Sequence, residues 1–367
     1  MKINGLINGP YNITRLEGTI NNINKVLYIF SDVHLEPYDQ TNCNIDEALD
    51  IDQFLSKTFL ELDKPIDFFI ELEYENISLY KDAIKEMYIR NLRNFFSRNF
   101  EIDTNKQVKK SSKYKNVRFH YADFRFTIDY LNNYMSYIIF KFNQFEFLRY
   151  SKGQLMYDKF YLNNNIEKID ELNKLTDILK INFYKNYYVN KIVNKIKNNN
   201  VKSILHKYLD IFYNNIKNTK KIMKKYYNEI IKINKNYNNI NEYNVNLFIK
   251  KVITPQILLN DKYTYEYNYI QSILLMDIFF LRRFLDKDYI TNAILYCGGL
   301  HTIDIMYILV NEFNFKITHT TSNIDNINNK IKNNKYKDVL FNGLQTLIND
   351  KKRVQCSDIS SFPKNFH

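Results

Sequence analysis

Four apolar runs in this sequence end in residues capable of chemistry. Lys25-Val-Leu-Tyr-Ile-Phe-Ser-Asp-Val-His34 closes on an Asp-x-His pair, and Ile66-Asp-Phe-Phe-Ile-Glu-Leu-Glu73 closes on Glu71 and Glu73, with Glu75 continuing the spacing. Asn116-Val-Arg-Phe-His-Tyr-Ala-Asp-Phe-Arg125 ends in Asp123 and Arg125, and the run from Tyr289 ends in Gly298-Gly299-Leu300-His301. Residues two apart on a strand point the same way, so Asp32 and His34 project together. Two imidazoles and a carboxylate (His34, His301 and Glu71) suit a divalent Zn, Mn or Fe ion with a position left for water. Such an ion would lower the pKa of that water. Asp32 or Glu71 would then act as general base, and Arg125 as a clamp for a carboxylate, phosphate or developing oxyanion.

The elements that must position these groups are strands. Runs rich in Val, Ile, Leu, Tyr and Phe read as strands buried on both faces, and ligands in α/β sheets bind at the strands' carboxyl ends. Between the first two runs, Asn44 or Asp46 could cap a helix through Leu49, Phe54, Leu55, Phe59 and Leu62, stopped by Pro65; a charged helix over 77–98 and an exposed loop near 104–115 precede the third. Alternating strands and helices predict an α/β fold with a mostly parallel sheet and flanking helices. Residues 1–24 read as an irregular lead-in. Residues 1–126 and 286–367 form one α/β core, and 127–285, with only helical periodicity, form a large helical insertion or cap. Phe315–Thr320 alternates as a last strand, and the tail beyond 322 is polar with an amphipathic piece near 337–348. Gly298 and Gly299 supply latitude for a strand-to-helix turn. His301 falls in the first turn of the following helix, whose positive end should keep the imidazole neutral.

With 45% apolar and 16% aromatic residues, the chain is folded. No run is long and apolar enough to cross a membrane, and the polar first twenty residues argue against secretion. Three cysteines, far apart and odd in number (Cys43, Cys297 and Cys356), suit a reducing compartment. The net charge of +12 comes mostly from lysine, since only 10 of 52 basic residues are arginine. The abundance of Lys, Asn, Ile and Tyr without Trp is what AT-rich codons produce; a selected basic surface is the other source. Either attracts anions, but nucleic acid has no further support beyond the Tyr/Lys interleaving of 183–240.

Taken together and in order, the motifs resemble the superfamily joining erythromycin-esterase-like proteins, ChaN haem-uptake lipoproteins and Tiki/TraB proteins. Ser31-Asp-Val-His34 stands at the first motif, with Ser31 in place of the usual glycine, Glu71 at the acidic position, Arg125 at the arginine and Gly298-Gly-Leu-His301 at the second His motif. The resemblance implies a metal-assisted hydrolase acting on a small-molecule or peptide substrate, with a helical insertion between two halves. The first motif is also similar to the opening Asp-x-His of calcineurin-like phosphoesterases, whose further motifs are missing here. The composition resembles that of proteins of large AT-rich DNA viruses, which implies host cytoplasm or virion and a second reading, a non-catalytic structural or interaction protein. Plainer roles exist for single residues: a cap for Asp32, a hydrogen-bonded core position for His120, a buried strand thiol for Cys297, and surface or packing positions for His206 and His319.

Overall fold

The computed structural model describes residues 5–33, 41–43, 48–71, 88–100, 111–123, 190, 192–211, 214, 274–322, 324–333 and 354–366. In chain order these form β1 (Leu6–Asn8), β2 (Asn12–Ile20), β3 (Ile23–Asp32), β4 (Leu49–Asp50), α1 (Ile51–Glu61), β5 (Ile66–Ile70), α2 (Tyr88–Asn99) and β6 (Val117–Tyr121). Helical segments α3 (199–211) and α4 (274–286) follow. Then come β7 (Asn292–Gly298), α5 (Gly299–Phe313), β8 (Lys316–Thr320), α6 (Ile324–Asn333) and β9 (Cys356–Asp358).

The main sheet has the order β6-β5-β7-β3-β2-β8. Strands β6, β5, β7 and β3 are parallel, and β2 runs against both β3 and β8. The fold is thus mixed α/β with a mostly parallel sheet. From β3 the chain goes one way, to β5 and β6; from β7 it goes the other way, to β8. The topological switch lies between β7 and β3, the place where such sheets form a ligand crevice.

Alternation along the strands divides the core in two. Tyr28, Phe30, Phe68, Ile70, Ile294 and Tyr296 pack with Phe54, Leu55, Phe59, Leu92 and Phe96 of α1 and α2. On the opposite face Phe69 meets Phe280 of α4 with ring centroids 5.0 Å apart, and Ser31 Oγ lies 2.8 Å from Thr302 Oγ1 of α5. Residues 276–286 therefore belong with the sheet.

The chain divides into two compact units: Met1–Phe124, Asn198–Ile204 and Met276–His367, and separately Arg125–Lys197 and Leu205–Leu275. Most of the second unit, and so most of the expected insertion over 127–285, falls outside the described residues. Within it, His206 Nδ1 lies 3.1 Å from Asp210. The loop expected near 104–115 and the amphipathic piece near 337–348 lie largely or wholly outside as well.

Two expectations are corrected by the fold. Of the expected lead-in over 1–24, residues 5–24 are not irregular: β1, β2 and the start of β3 lie there, and a two-residue turn at Asn21-Asn22, with φ of 52° and 63°, joins β2 to β3. Both residues take the left-handed conformation that a tight hairpin turn needs. β2 does not read as a strand because its buried positions include Asn12, Thr14 and Arg15. Those side chains bond across to β8 and its end, as in Asn12 Nδ2 to Ser322 Oγ at 2.6 Å and Arg15 Nη1 to Thr318 Oγ1 at 2.6 Å. Satisfied polar groups can be buried, but they erase the period-two signal. The cysteines are also not all free: Cys43 and Cys356, 313 residues apart, form a disulfide, and only Cys297 remains a thiol. β1 pairs with both β4 and β9 in a small second sheet, which brings the tail back beside Cys43.

Candidate functional site

The carboxyl ends of β5, β7 and β3 lie side by side. Asp32 is in register with Gly298, and the Gly298 N–H donates to Glu71 Oε2 at 2.6 Å. Glu71 extends the ladder, its own N–H donating to the Tyr296 carbonyl at 2.9 Å. Ala122 does the same to Ile70, leaving buried Asp123 just beyond the end of β6. Four candidates from the sequence (Asp32, Glu71, Gly298 and His301) are thus gathered at the switch point. His34, Glu73, Glu75 and Arg125 lie outside the described residues.

His301 stands in the first turn of α5, as its spacing predicts, but it is not the neutral imidazole expected there. Its Nε2 is 2.9 Å from Glu71 Oε1 and its Nδ1 is 2.7 Å from Asp277 Oδ1. Burial by itself would push the imidazole pKa down, yet Glu71 and then Asp277 outweigh it and raise the value from 6.5 to about 10. A helix N-terminus disfavours a cation by only about 0.3–1 kcal/mol, whereas two carboxylates in hydrogen-bonding contact act in a region shielded from water. His301 is therefore an imidazolium donating from both nitrogens. It is 3% exposed and Asp277 is fully buried, whereas the Glu71 side chain retains 11% exposure. Glu71 is the end of the chain that faces outward.

Asp277 is absent from the sequence-derived candidates. Its signal was a single carboxylate inside Leu274-Leu-Met-Asp-Ile-Phe-Phe280. An acid in such a run is almost never fully buried without a partner, but the partner's identity is not a local property.

Gly299 is required for a reason other than the expected one. Gly298 has φ −62°, and neither glycine takes a positive φ. The requirement is close approach: a Cβ on Gly299 would stand 2.0 Å from the Tyr11 hydroxyl. Gly299→Ala is expected to displace the Tyr11 ring and cost about 1–3 kcal/mol in urea unfolding. An unchanged midpoint would mean the ring swings aside freely.

Of the metal set His34, His301 and Glu71, His34 lies outside the described residues. Both His301 nitrogens are taken up by carboxylates, and no group of three or more His, Cys, Asp or Glu among the described residues could hold a metal ion. Among the described residues no helix is long and apolar enough to cross a membrane.

A second buried network occupies the other half of the sheet. Asp67 accepts from Arg118 Nε at 2.8 Å and His120 Nε2 at 2.7 Å, and Arg283 donates to His120 Nδ1 at 3.2 Å. Burial would raise the Asp67 pKa, but the hydrogen bonds from Arg118 and His120 hold it below the usual carboxylate range. Burial pushes the His120 pKa down despite Asp67, so the ring is neutral, with its proton on Nε2. Every member serves another, so this is a strut joining β5, β6 and α4.

Residues 5–186 and 162–367 match the family of unknown function DUF5847. The chain is 35% identical to uncharacterized protein R161 of Acanthamoeba polyphaga mimivirus, with 98% of each chain covered. It is 31% identical to each of uncharacterized proteins R706 and R160 of the same virus, over 98% of this chain and 97% of theirs. No solved structure matches. Nothing in these matches supports the erythromycin-esterase-like resemblance. The chain belongs to the family of unknown function DUF5847, and it has full-length relatives among the proteins of mimivirus.

Proposed function

We propose that this chain is a hydrolase whose acid–base group is Glu71, with Asp32 as a second carboxylate at the same strand ends. The observation that carries this reading is the chain Asp277–His301–Glu71 ending at the crevice between three parallel strands. Asp277 anchors the Nδ1–H and so fixes the ring, and the Nε2–H is presented to Glu71. Glu71 Oε2, held by the Gly298 N–H, is oriented by a backbone donor. A carboxylate poised in this way can take a proton from an attacking water and return it to a leaving group. His301 and Asp277 are positioning residues. The order of the motifs keeps the erythromycin-esterase-like resemblance as support for the reaction class, and the substrate would be a small molecule or peptide. No step of this chemistry depends on a divalent ion.

The test is a panel of ester, amide and phosphoester substrates given to the wild type and Glu71→Gln, each with and without chelator and with its metal content measured. Hydrolysis reduced about a hundred- to ten-thousand-fold in the variant would support the assignment. Equal turnover in both would remove Glu71 from the reaction. The second reading, a non-catalytic viral interaction protein, is favoured by how little of the triad meets solvent. It gains if no substrate is turned over while Glu71→Gln and Asp277→Asn both lower stability.

A further inference from the structure

Asp32 is guarded from the far end of the sequence. β9 pairs antiparallel with β1, placing Cys356 opposite Asn8. Just before it, Gln355 is fixed at four points. Its N–H donates to the Thr41 carbonyl at 3.0 Å, and its carbonyl accepts from the Gly9 N–H at 3.0 Å. Its side-chain Nε2 donates to the Gly9 carbonyl at 3.3 Å and to Asp32 Oδ1 at 3.1 Å. The residue is 1% exposed.

The next residue, Cys356, is bonded to Cys43, two positions beyond Thr41. The disulfide therefore closes the same short circuit of chain that sets the Gln355 amide against Asp32. Both cysteines are only half-buried, and Thr41, Asn42 and Val354 beside them are exposed, so a small reductant can reach the bond. Cys297 is fully buried and outside this chemistry. The tail has a second, apolar fastening: Phe366 packs on Tyr28, Phe30 and Phe54 at 5.0, 6.1 and 6.1 Å. One fastening can be broken by reduction, and the other keeps the tail attached.

We propose that the Cys43–Cys356 disulfide is a redox latch that holds Gln355 on Asp32, and that reduction withdraws the Gln355 amide from this carboxylate and so admits the ligand of the site beside it. The proposal rests on the reading of that site as a hydrolase centre. The reductant is a dithiol. Its first thiolate attacks one sulfur to give a mixed disulfide, and its second thiol displaces the protein sulfur. Two electrons pass to the protein, two protons end on the Cys43 and Cys356 thiols, and the reductant leaves as its own disulfide.

The full chain, purified in air, is compared before and after dithiothreitol. Alkylation in denaturant should count one thiol before and three after. Amide hydrogen exchange at 354–358, 5–9 and Val33, whose N–H donates to Asp32 Oδ1, should then rise about tenfold or more, while 292–298 stays unchanged. Cys43→Ser/Cys356→Ser should behave like the reduced protein with or without dithiothreitol. Gln355→Ala, its disulfide intact, should raise exchange at Val33 alone. Three thiols in the air-purified protein, or unchanged exchange at Val33 after reduction, would overturn the latch. Exchange needs no substrate, so a failure to find hydrolysis counts against the proposed function and leaves this result standing.

Discussion

His301→Gln is expected to lower the unfolding free energy by about 3–5 kcal/mol at pH 7, because it leaves Glu71 and Asp277 without their shared cation. The larger signature is in the pH dependence. The folded imidazole titrates near 10 and the unfolded one near 6.5, so between those values unfolding releases a proton. The contribution of His301 is complete below the unfolded pKa and disappears as pH rises through the folded one. Its part of the stability should therefore fall by up to about 1.4 kcal/mol per pH unit across that window. Urea unfolding at pH 6 to 10 reads this directly: the wild-type curve declines and the variant's flattens. Parallel curves would show that His301 carries no extra proton in the folded state. Asp277→Asn separates charge from geometry, since the amide oxygen still accepts from Nδ1 but no longer supports the positive ring. Its decline should begin at lower pH than in the wild type.

Asp67→Ala has an expected cost of similar size, about 3–5 kcal/mol, with a different cause. Asp67 is fully buried and joins Arg118 to His120. Without it, the His120 Nε2–H and the Arg118 fork lose their acceptor, and a gap opens between β5 and β6 where their registers meet. Arg118 is partly exposed and can turn to water, so the larger share falls on His120 and the gap. Because the Asp67 pKa is depressed, its contribution is present above the ordinary carboxylate pKa and is lost as pH falls below it. Thermal unfolding at pH 7 and pH 3 gives the check: the difference between wild type and variant should be larger at pH 7. An Asp67→Ala protein as stable as the wild type would mean that the network is solvated in solution. Loss at this network should leave the His301 contacts with Glu71 and Asp277 unchanged in the folded fraction, since neither Arg118 nor His120 touches Glu71 or His301.

Residue order alone places the parallel strands and the polar residues that close them. Apolar runs at β3, β5 and β7 can be satisfied only by burial on both faces, and a polar residue that closes such a run must fall at its end. This is why Asp32, Glu71 and His301 are legible from residue order, and why α5 can be read as beginning near Gly299. Residue order could not decide how those groups are paired. The partner of His301 sits 24 residues earlier in a helix, and the guard of Asp32 lies 323 residues later in the tail. Local periodicity encodes which face is buried, not what waits there. A helix terminus acting on one imidazole predicts a neutral ring, whereas the fold supplies two carboxylates and so a cation. β2 and β9 are illegible for a related reason: one hides its burial behind polar side chains satisfied across the sheet, and the other is too short to show any period. The disulfide belongs to the same class, because only the pairing of β1 with β9 brings the tail beside Cys43. Protonation and covalent closure both follow from distances between segments that the chain order leaves unspecified.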